Sequence, residues 1–140
     1  MILYLDTSAL VKLYAIEAGS QQVRSAVSDA ERLITSIVAY PETRSALARK
    51  RRRHEITAPM LEACRREFDD DWDRIRQLPV DDPTVRRAGD LAEEHGLKGF
   101  DALHLASAEL MRISIASDVT FACFDLGLVR AARRHGFSTL

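Results

Sequence analysis

Cysteine is scarce in this chain of 140 residues: only Cys64 and Cys123 occur, far apart and without CxxC spacing. That argues against a disulfide framework or a thiolate zinc site and leaves two buried thiols as the expectation. Long apolar runs are missing too. None approaches the ~20 residues that span a bilayer, so no membrane role is expected. The first residues pass directly into Ile2-Leu3-Tyr4-Leu5, with no basic segment or small-residue cleavage site of a secretory signal. A cytoplasmic protein is the expectation. No linker, repeat or low-complexity stretch interrupts the chain, so residues 1–140 read as a single domain long enough to bury a core. Neither sign of charge dominates: 20 Lys+Arg stand against 21 Asp+Glu. The sum therefore argues neither for nor against a nucleic-acid partner, and local fields decide.

What is present is an alternation of short apolar runs with helical patterns. Ile2 to Leu5, Leu33 to Thr35, Leu78-Pro79-Val80, Val119 to Phe124 and Phe137 to Leu140 are the strand candidates. Between them lie helical patterns opening at Ser8, continuing through Val23 and Val27, and starting again near Pro41. Further helices are expected after Thr57, after Asp81 or Asp82 (closed by His95-Gly96), at Gly99-Phe100-Asp101 and after Asp125. Ser36 is the expected cap of the third helix. Strands alternating with helices predict an α/β fold whose parallel sheet is covered on both faces.

Four acids stand out by position. Asp6 ends the first apolar run and Asp125 ends Val119 to Phe124, each just before a helix. Glu42 falls in or near a first helical turn, and Asp101 opens the helix carrying Ala102, Leu103 and Leu105. Singly, each has a plain explanation as a cap or a favourable charge at a helix start. Jointly they mean more. If the two runs are neighbouring parallel strands, their carboxyl ends bring two carboxylates into the crevice where open α/β sheets bind ligands. Oxygen donors of this kind suit Mg²⁺ or Mn²⁺. Asp118 is a rival for the fourth place, but it precedes its strand and belongs at the opposite edge.

These residues resemble the PIN domain, specifically the VapC-type toxin ribonucleases of type II toxin–antitoxin pairs. The likeness rests on Leu5-Asp6-Thr7-Ser8-Ala9-Leu10, Pro41-Glu42-Thr43-Arg44-Ser45-Ala46-Leu47, Asp101-Ala102-Leu103-His104-Leu105-Ala106 and Phe124-Asp125 followed by Leu128 and Ala131-Ala132. Order, spacing and length fit over nearly the whole chain. The resemblance implies a three-layer α/β/α domain with a central, mainly parallel sheet of four to five strands. It also implies an Mg²⁺- or Mn²⁺-dependent endoribonuclease with Asp6, Glu42, Asp101 and Asp125 as catalytic and metal-binding acids. Thr7 and Ser8 would place hydroxyls beside the metal or a phosphate. The implied partners are an RNA substrate, a cognate antitoxin and a second copy in a homodimer. One departure is Ala122-Cys123-Phe124, where the family often has Thr or Ser shortly before the last acid.

Other classes stay open on sequence alone. An acidic crevice suits a phosphatase or a receiver-like phosphoacceptor, although Asp6-Thr7-Ser8 lacks the second acid of a DxD motif and no acid ends the Leu33 strand. A non-catalytic module with a relic site is another alternative. Metal-free cleavage would need His54, His95, His104 or His135 as acid and base. His104, three residues after Asp101 on one side of a helix, reads as a packed or supporting group.

Charge is patterned locally. Arg49 to His54 form a basic block and Asp69-Asp70-Asp71-Trp72-Asp73 an acidic one. Consecutive acids on a helix splay around its axis, so the acidic block reads as a solvated face with Trp72 on the stripe of Leu61, Cys64, Phe68 and Ile75. That stripe suits the core or a docking surface. Arg51 and Arg52 are candidate RNA contacts, and Arg44, close to Glu42 in sequence, is a candidate for the scissile region. Neutralising Arg51 and Arg52 is expected to weaken RNA binding and to reduce its salt slope by about one for each phosphate that an arginine had neutralised. An unchanged slope in a salt titration would reject this role for the two arginines.

Overall fold

Period-two alternation decides how the first strand sits. In the computed structural model, which describes residues 1–140, β1 runs Ile2–Leu5. Tyr4 joins one apolar cluster, while Leu3 and Leu5 join another, because successive side chains of a strand point to opposite faces. The chain continues with α1 (Thr7–Tyr14), α2 (Ser20–Asp29), β2 (Arg32–Ser36), α3 (Ala39–Arg52) and α4 (Ala58–Trp72). It then forms β3 (Arg76–Leu78), α5 (Asp82–His95), α6 (Gly99–Ile115), β4 (Val119–Ala122), α7 (Leu126–Arg134) and β5 (Ser138–Thr139).

The five strands form one sheet in the order β3-β2-β1-β4-β5. Every pairing is parallel, with Leu3 opposite Leu33 on one side and Thr120 on the other. The chain leaves β1 toward β2 but leaves β4 toward β5. Right-handed crossovers then put the two sets of helices on opposite faces. The apolar clusters agree: α5, α6 and α7 supply Leu91, Leu105 and Leu128 around Tyr4 and Phe121, whereas α1 and α2 supply Leu10 and Val23 around Leu3 and Leu5. The result is a three-layer α/β/α sandwich whose sheet is entirely parallel. Both cysteines are free and buried, and no helix is long and apolar enough to cross a membrane.

Several boundaries differ from the sequence expectation, each for a hydrogen-bonding reason. The third strand is Arg76–Leu78 rather than Leu78 to Val80, since Pro79 has no N–H to extend the ladder. The fourth stops at Ala122, not Phe124: the Asp6 N–H donates to the Ala122 carbonyl at 3.1 Å, and the Phe124 N–H turns to Ser8 Oγ at 3.0 Å. Ser36 belongs to β2 and does not cap α3, whose N-cap is Val38 without a side-chain bond. The first helix begins at Thr7 because Asp6 is its cap, with Oδ1 accepting from the Ala9 N–H. Between α1 and α2, Gly19 has φ 90°, and a Cβ there would meet the Phe124 ring at 2.8 Å, so only glycine fits.

The stripe of α4 is core. Thr57 caps the helix through the Met60 N–H, and Cys64 and Phe68 pack with Val11, Tyr14 and Leu47 of α1 and α3. Phe68 is fully buried and sits 5.2 Å from both the Tyr14 and Tyr40 rings and 5.4 Å from Trp72. The acidic block is less solvated than expected: Tyr40 donates to Asp69 at 2.7 Å and Tyr14 to Asp71 at 3.3 Å, while Asp70 and Asp73 remain exposed. Phe68→Ala should lower unfolding stability by about 3–5 kcal/mol, the usual cost of emptying a packed aromatic site. The half-exposed Met60 is the control, where Met60→Ala should cost within about 0.5 kcal/mol. Urea titration checks both, and similar midpoints would place the stripe outside the core.

Candidate active site

β1 and β4 are adjacent and parallel, so the residues leaving their carboxyl ends face one crevice. Asp6 follows β1 directly, and Asp125 lies three residues beyond β4 as the N-cap of α7. The two share this edge because the crossover direction reverses between their strands. Glu42 reaches it from the first turn of α3 and Asp101 from the first turn of α6. Asp118, exposed before β4, lies at the other end of the sheet.

Asp6 is 3% exposed. Its Oδ1 accepts from the Ser8 hydroxyl at 2.7 Å and from the Ala9 N–H at 2.9 Å. Ser8 in turn accepts from Phe124 N–H, so one hydroxyl ties the end of β1 to the exit of β4. Asp125, exposed, spends Oδ1 on the Leu128 N–H at 3.0 Å.

Glu42 is held by a relay that starts beneath the site. The Thr7 hydroxyl donates to Glu42 Oε1 at 2.8 Å, and His104 Nε2 lies 2.8 Å from the same oxygen and 3.2 Å from Thr7 Oγ1. A carboxylate accepts only, so Nε2 bears the proton it gives Glu42, while Nδ1 lies 2.9 Å from the Tyr4 hydroxyl. His104 is 1% exposed. With both ring nitrogens engaged, it has none free for a substrate, which fits a supporting group rather than an acid–base catalyst.

The acids differ in charge state. Burial pushes the Asp6 carboxyl up to about 6, against the opposing pull of His104 and its hydrogen bonds, with Asp101 adding repulsion. Burial also raises Asp101, with further repulsion from Asp125 and Glu42. Burial alone would raise Glu42, but the bonds from His104 and Thr7 outweigh it and hold its carboxyl low. The Tyr4 hydroxyl is raised well above its ordinary value by burial and by the charge of Asp6. Clustered like charges in a poorly solvated crevice explain the upward shifts. The donors are all carboxylate oxygens, the set that a hard divalent cation takes.

An open cavity of about 520 Å³ adjoins the site at Glu42, with Thr7, Ser45, Arg49 and Phe100 also in its walls. Arg49 is the member of the basic block that reaches this cavity, although the sequence singled out Arg51 and Arg52. It lies seven residues after Glu42, two turns along the same face of α3, and that spacing was the available signal. Arg44 does not converge on the site. Residues two apart on a helix point to different sides, and Arg44 donates to the Tyr40 hydroxyl at 2.8 Å on the α4 side. Arg51 and Arg52 lie in the last turn of α3, outside this cavity. Tyr4, whose hydroxyl anchors His104, had no signal in sequence beyond its place in an apolar run.

The PIN domain family model matches residues 3–133. The chain belongs to the PIN-domain family. Among its relatives is Ribonuclease VapC49 of Mycobacterium tuberculosis strain H37Rv, 38% identical over 107 residues that cover 76% of this chain and 74% of the relative. Ribonuclease VapC3 of Pyrobaculum aerophilum is 32% identical over 115 residues, 78% of this chain and 82% of that one. In three dimensions this PIN domain resembles the FitAcB structure from Neisseria gonorrhoeae, with TM-score 0.68 and 20% identity over 100% of this chain and 96% of that chain. The VapBC2 structure from Rickettsia felis, bound to a DNA fragment from its promoter, matches with TM-score 0.64 and 14% identity over 100% and 98%.

Asp6 carries a pH signature. Its folded carboxyl, near 6, is raised above the unfolded value of 3.8. The folded state therefore favours the protonated acid, and stability falls as pH rises from about 4 to about 6. Asp6→Asn keeps the N-cap acceptor but removes the buried charge. Without divalent cations it should lie close to wild type near pH 4 and exceed it above pH 6.5 by about 3 kcal/mol. Thermal melts across that range would show the gap opening, and a gap independent of pH would refute it.

Proposed function

We propose that this chain is an Mg²⁺- or Mn²⁺-dependent endoribonuclease, the toxin of a VapBC-type toxin–antitoxin pair, acting as one PIN-like domain in the cytoplasm. The observation that carries the proposal is the convergence of Asp6, Glu42, Asp101 and Asp125 on one sheet edge, with Asp6 and Asp101 pushed up by burial and by the charge of neighbouring acids. The relatives named as VapC ribonucleases support the choice of substrate class.

Asp6 and Asp101 are the firmest metal ligands, with Glu42 and Asp125 placed to hold a second ion or to orient the attacking water. A bound divalent cation lowers the pKa of its water and offsets charge on the phosphorane-like transition state. The protein's part is positioning. Ser8 and the Ala9 amide fix the rotamer of Asp6. Thr7 and His104 hold Glu42 ionised, ready to accept a proton from water. Arg49, at the cavity wall, is placed to steer a phosphate toward the acids. Because water is the nucleophile, the products carry a 5′-phosphate and a 3′-hydroxyl. For the antitoxin, the apolar groove of about 400 Å³ between α5 and α6, lined by Val85, Ala88, Ala92, Phe100 and Leu103, suits an amphipathic helix. A homodimer is the expected assembly of the toxin itself.

Sequencing of 5′-phosphorylated RNA ends after brief induction should reveal a few sharp new ends in wild type and none with Asp6→Asn. With purified protein, EDTA should abolish cleavage, and Asp6→Asn should lower the rate by about 10²-fold or more. Products ending in 2′,3′-cyclic phosphate, or cleavage that persists in EDTA, would refute the mechanism. Identical end profiles in well-expressed samples would favour a binding module.

A further inference from the structure

The C-terminal ends of α5 and α7 meet away from the acidic crevice. His95 is the last residue of α5, and His135 follows the last turn of α7, at the opposite end from Asp125. Their Nε2 atoms lie 2.8 Å apart with the rings crossed at 86°. A carboxylate oxygen of Glu94 is 3.5 Å from His95 Nε2. One ligand atom from each of Glu94, His95 and His135 lies within 4.8 Å of the other two, a closeness the four acids of the crevice do not reach.

The surroundings prepare these atoms. Glu109 Oε1 is 3.1 Å from His135 Nδ1, and Arg87 holds Glu109 by two hydrogen bonds of 2.5 and 3.0 Å. Since the carboxylate only accepts, Nδ1 carries the His135 proton, and Nε2 presents its lone pair toward His95 and Glu94. A carboxylate behind the distal nitrogen is how metal-binding histidines are usually oriented. His135 also caps its helix, and Arg112 donates to its carbonyl at 2.7 Å, so the backbone behind the ring is held.

We propose that Glu94, His95 and His135 form a zinc(II) site that joins the C-termini of α5 and α7. Two imidazole nitrogens and a carboxylate are a borderline donor set, suited to zinc rather than to the magnesium favoured by an all-oxygen crevice. Zinc–nitrogen bonds of about 2.0–2.1 Å in a tetrahedral site set two nitrogens about 3.3 Å apart. The rings therefore part by a few tenths of an ångström, His95 moves its proton to Nδ1, and the exposed Glu94 swings in. Water completes the fourth position. Both helices point their carbonyl ends at the ion, where the helix dipole favours positive charge. This proposal is independent of the nuclease reading, because none of its residues touches the crevice.

The test is calorimetric titration of the full chain with ZnCl₂ in a large excess of Mg²⁺, which keeps the acidic crevice occupied. Wild type should bind one equivalent, and His135→Gln should bind none. Glu94→Gln changes an exposed side chain and keeps the fold. It should weaken binding by at least the roughly 10–100-fold that loss of even an outer-sphere partner costs. Co²⁺ as a spectroscopic probe should give the visible bands of a four-coordinate nitrogen–oxygen site in wild type, absent from His135→Gln. Equal zinc affinity in wild type and Glu94→Gln, no zinc bound at all, or a cobalt–thiolate charge-transfer band would overturn the assignment.

Discussion

Asp6 places a carboxylate at the carboxyl end of the central strand with almost no access to water, and much of the surrounding structure answers that one cost. An unpaired buried charge would be prohibitive. Here Oδ1 collects the Ser8 hydroxyl and the Ala9 amide, which also starts α1. Ser8 then takes the Phe124 amide, so the same few atoms that solvate Asp6 join β1 to the exit of β4 and set the path toward Asp125. Fold and site are built from one group of hydrogen bonds. The remaining upward shift of Asp6 is the destabilisation that an active centre commonly carries and that a bound cation relieves.

The four acids are not equivalent. Asp6 and Asp101 are pushed toward protonation, whereas Glu42 is kept ionised by His104 and Thr7. Environments that drive neighbouring carboxyls apart are how a site divides ligand and base roles among like residues. Tyr4 links this division to the core: its hydroxyl meets His104, and its ring stacks on Phe121 at 5.1 Å. The orientation of Glu42 thus depends on packing between the central sheet and α6.

Asp6 and Asp125 were legible in sequence because each lies where an apolar pattern changes period, from two to 3.6, and Glu42 and Asp101 because each falls in or near the first turn of a helix. Strand ends were less legible. Whether Phe124 extends β4 depends on Ser8, 116 residues away, and whether Ser36 caps a helix or finishes a strand depends on the partner β3. Arg44 and Arg49 look alike in a basic stretch, and only the face of α3 turned toward Thr7 and Phe100 separates them. The pairing of His95 with His135 had no local signal at all, since 40 residues intervene.

Composition and periodicity determined by themselves an α/β chain with a covered parallel sheet and four acids at element junctions, because burial patterns and helix starts are properties of neighbouring residues. The tertiary structure alone decided that β1 and β4 are adjacent, that His104 holds Glu42 from below, and that two helix ends bring Glu94, His95 and His135 together. Those depend on strand order and helix packing, which join groups distant along the chain through hydrogen bonds that no local window contains.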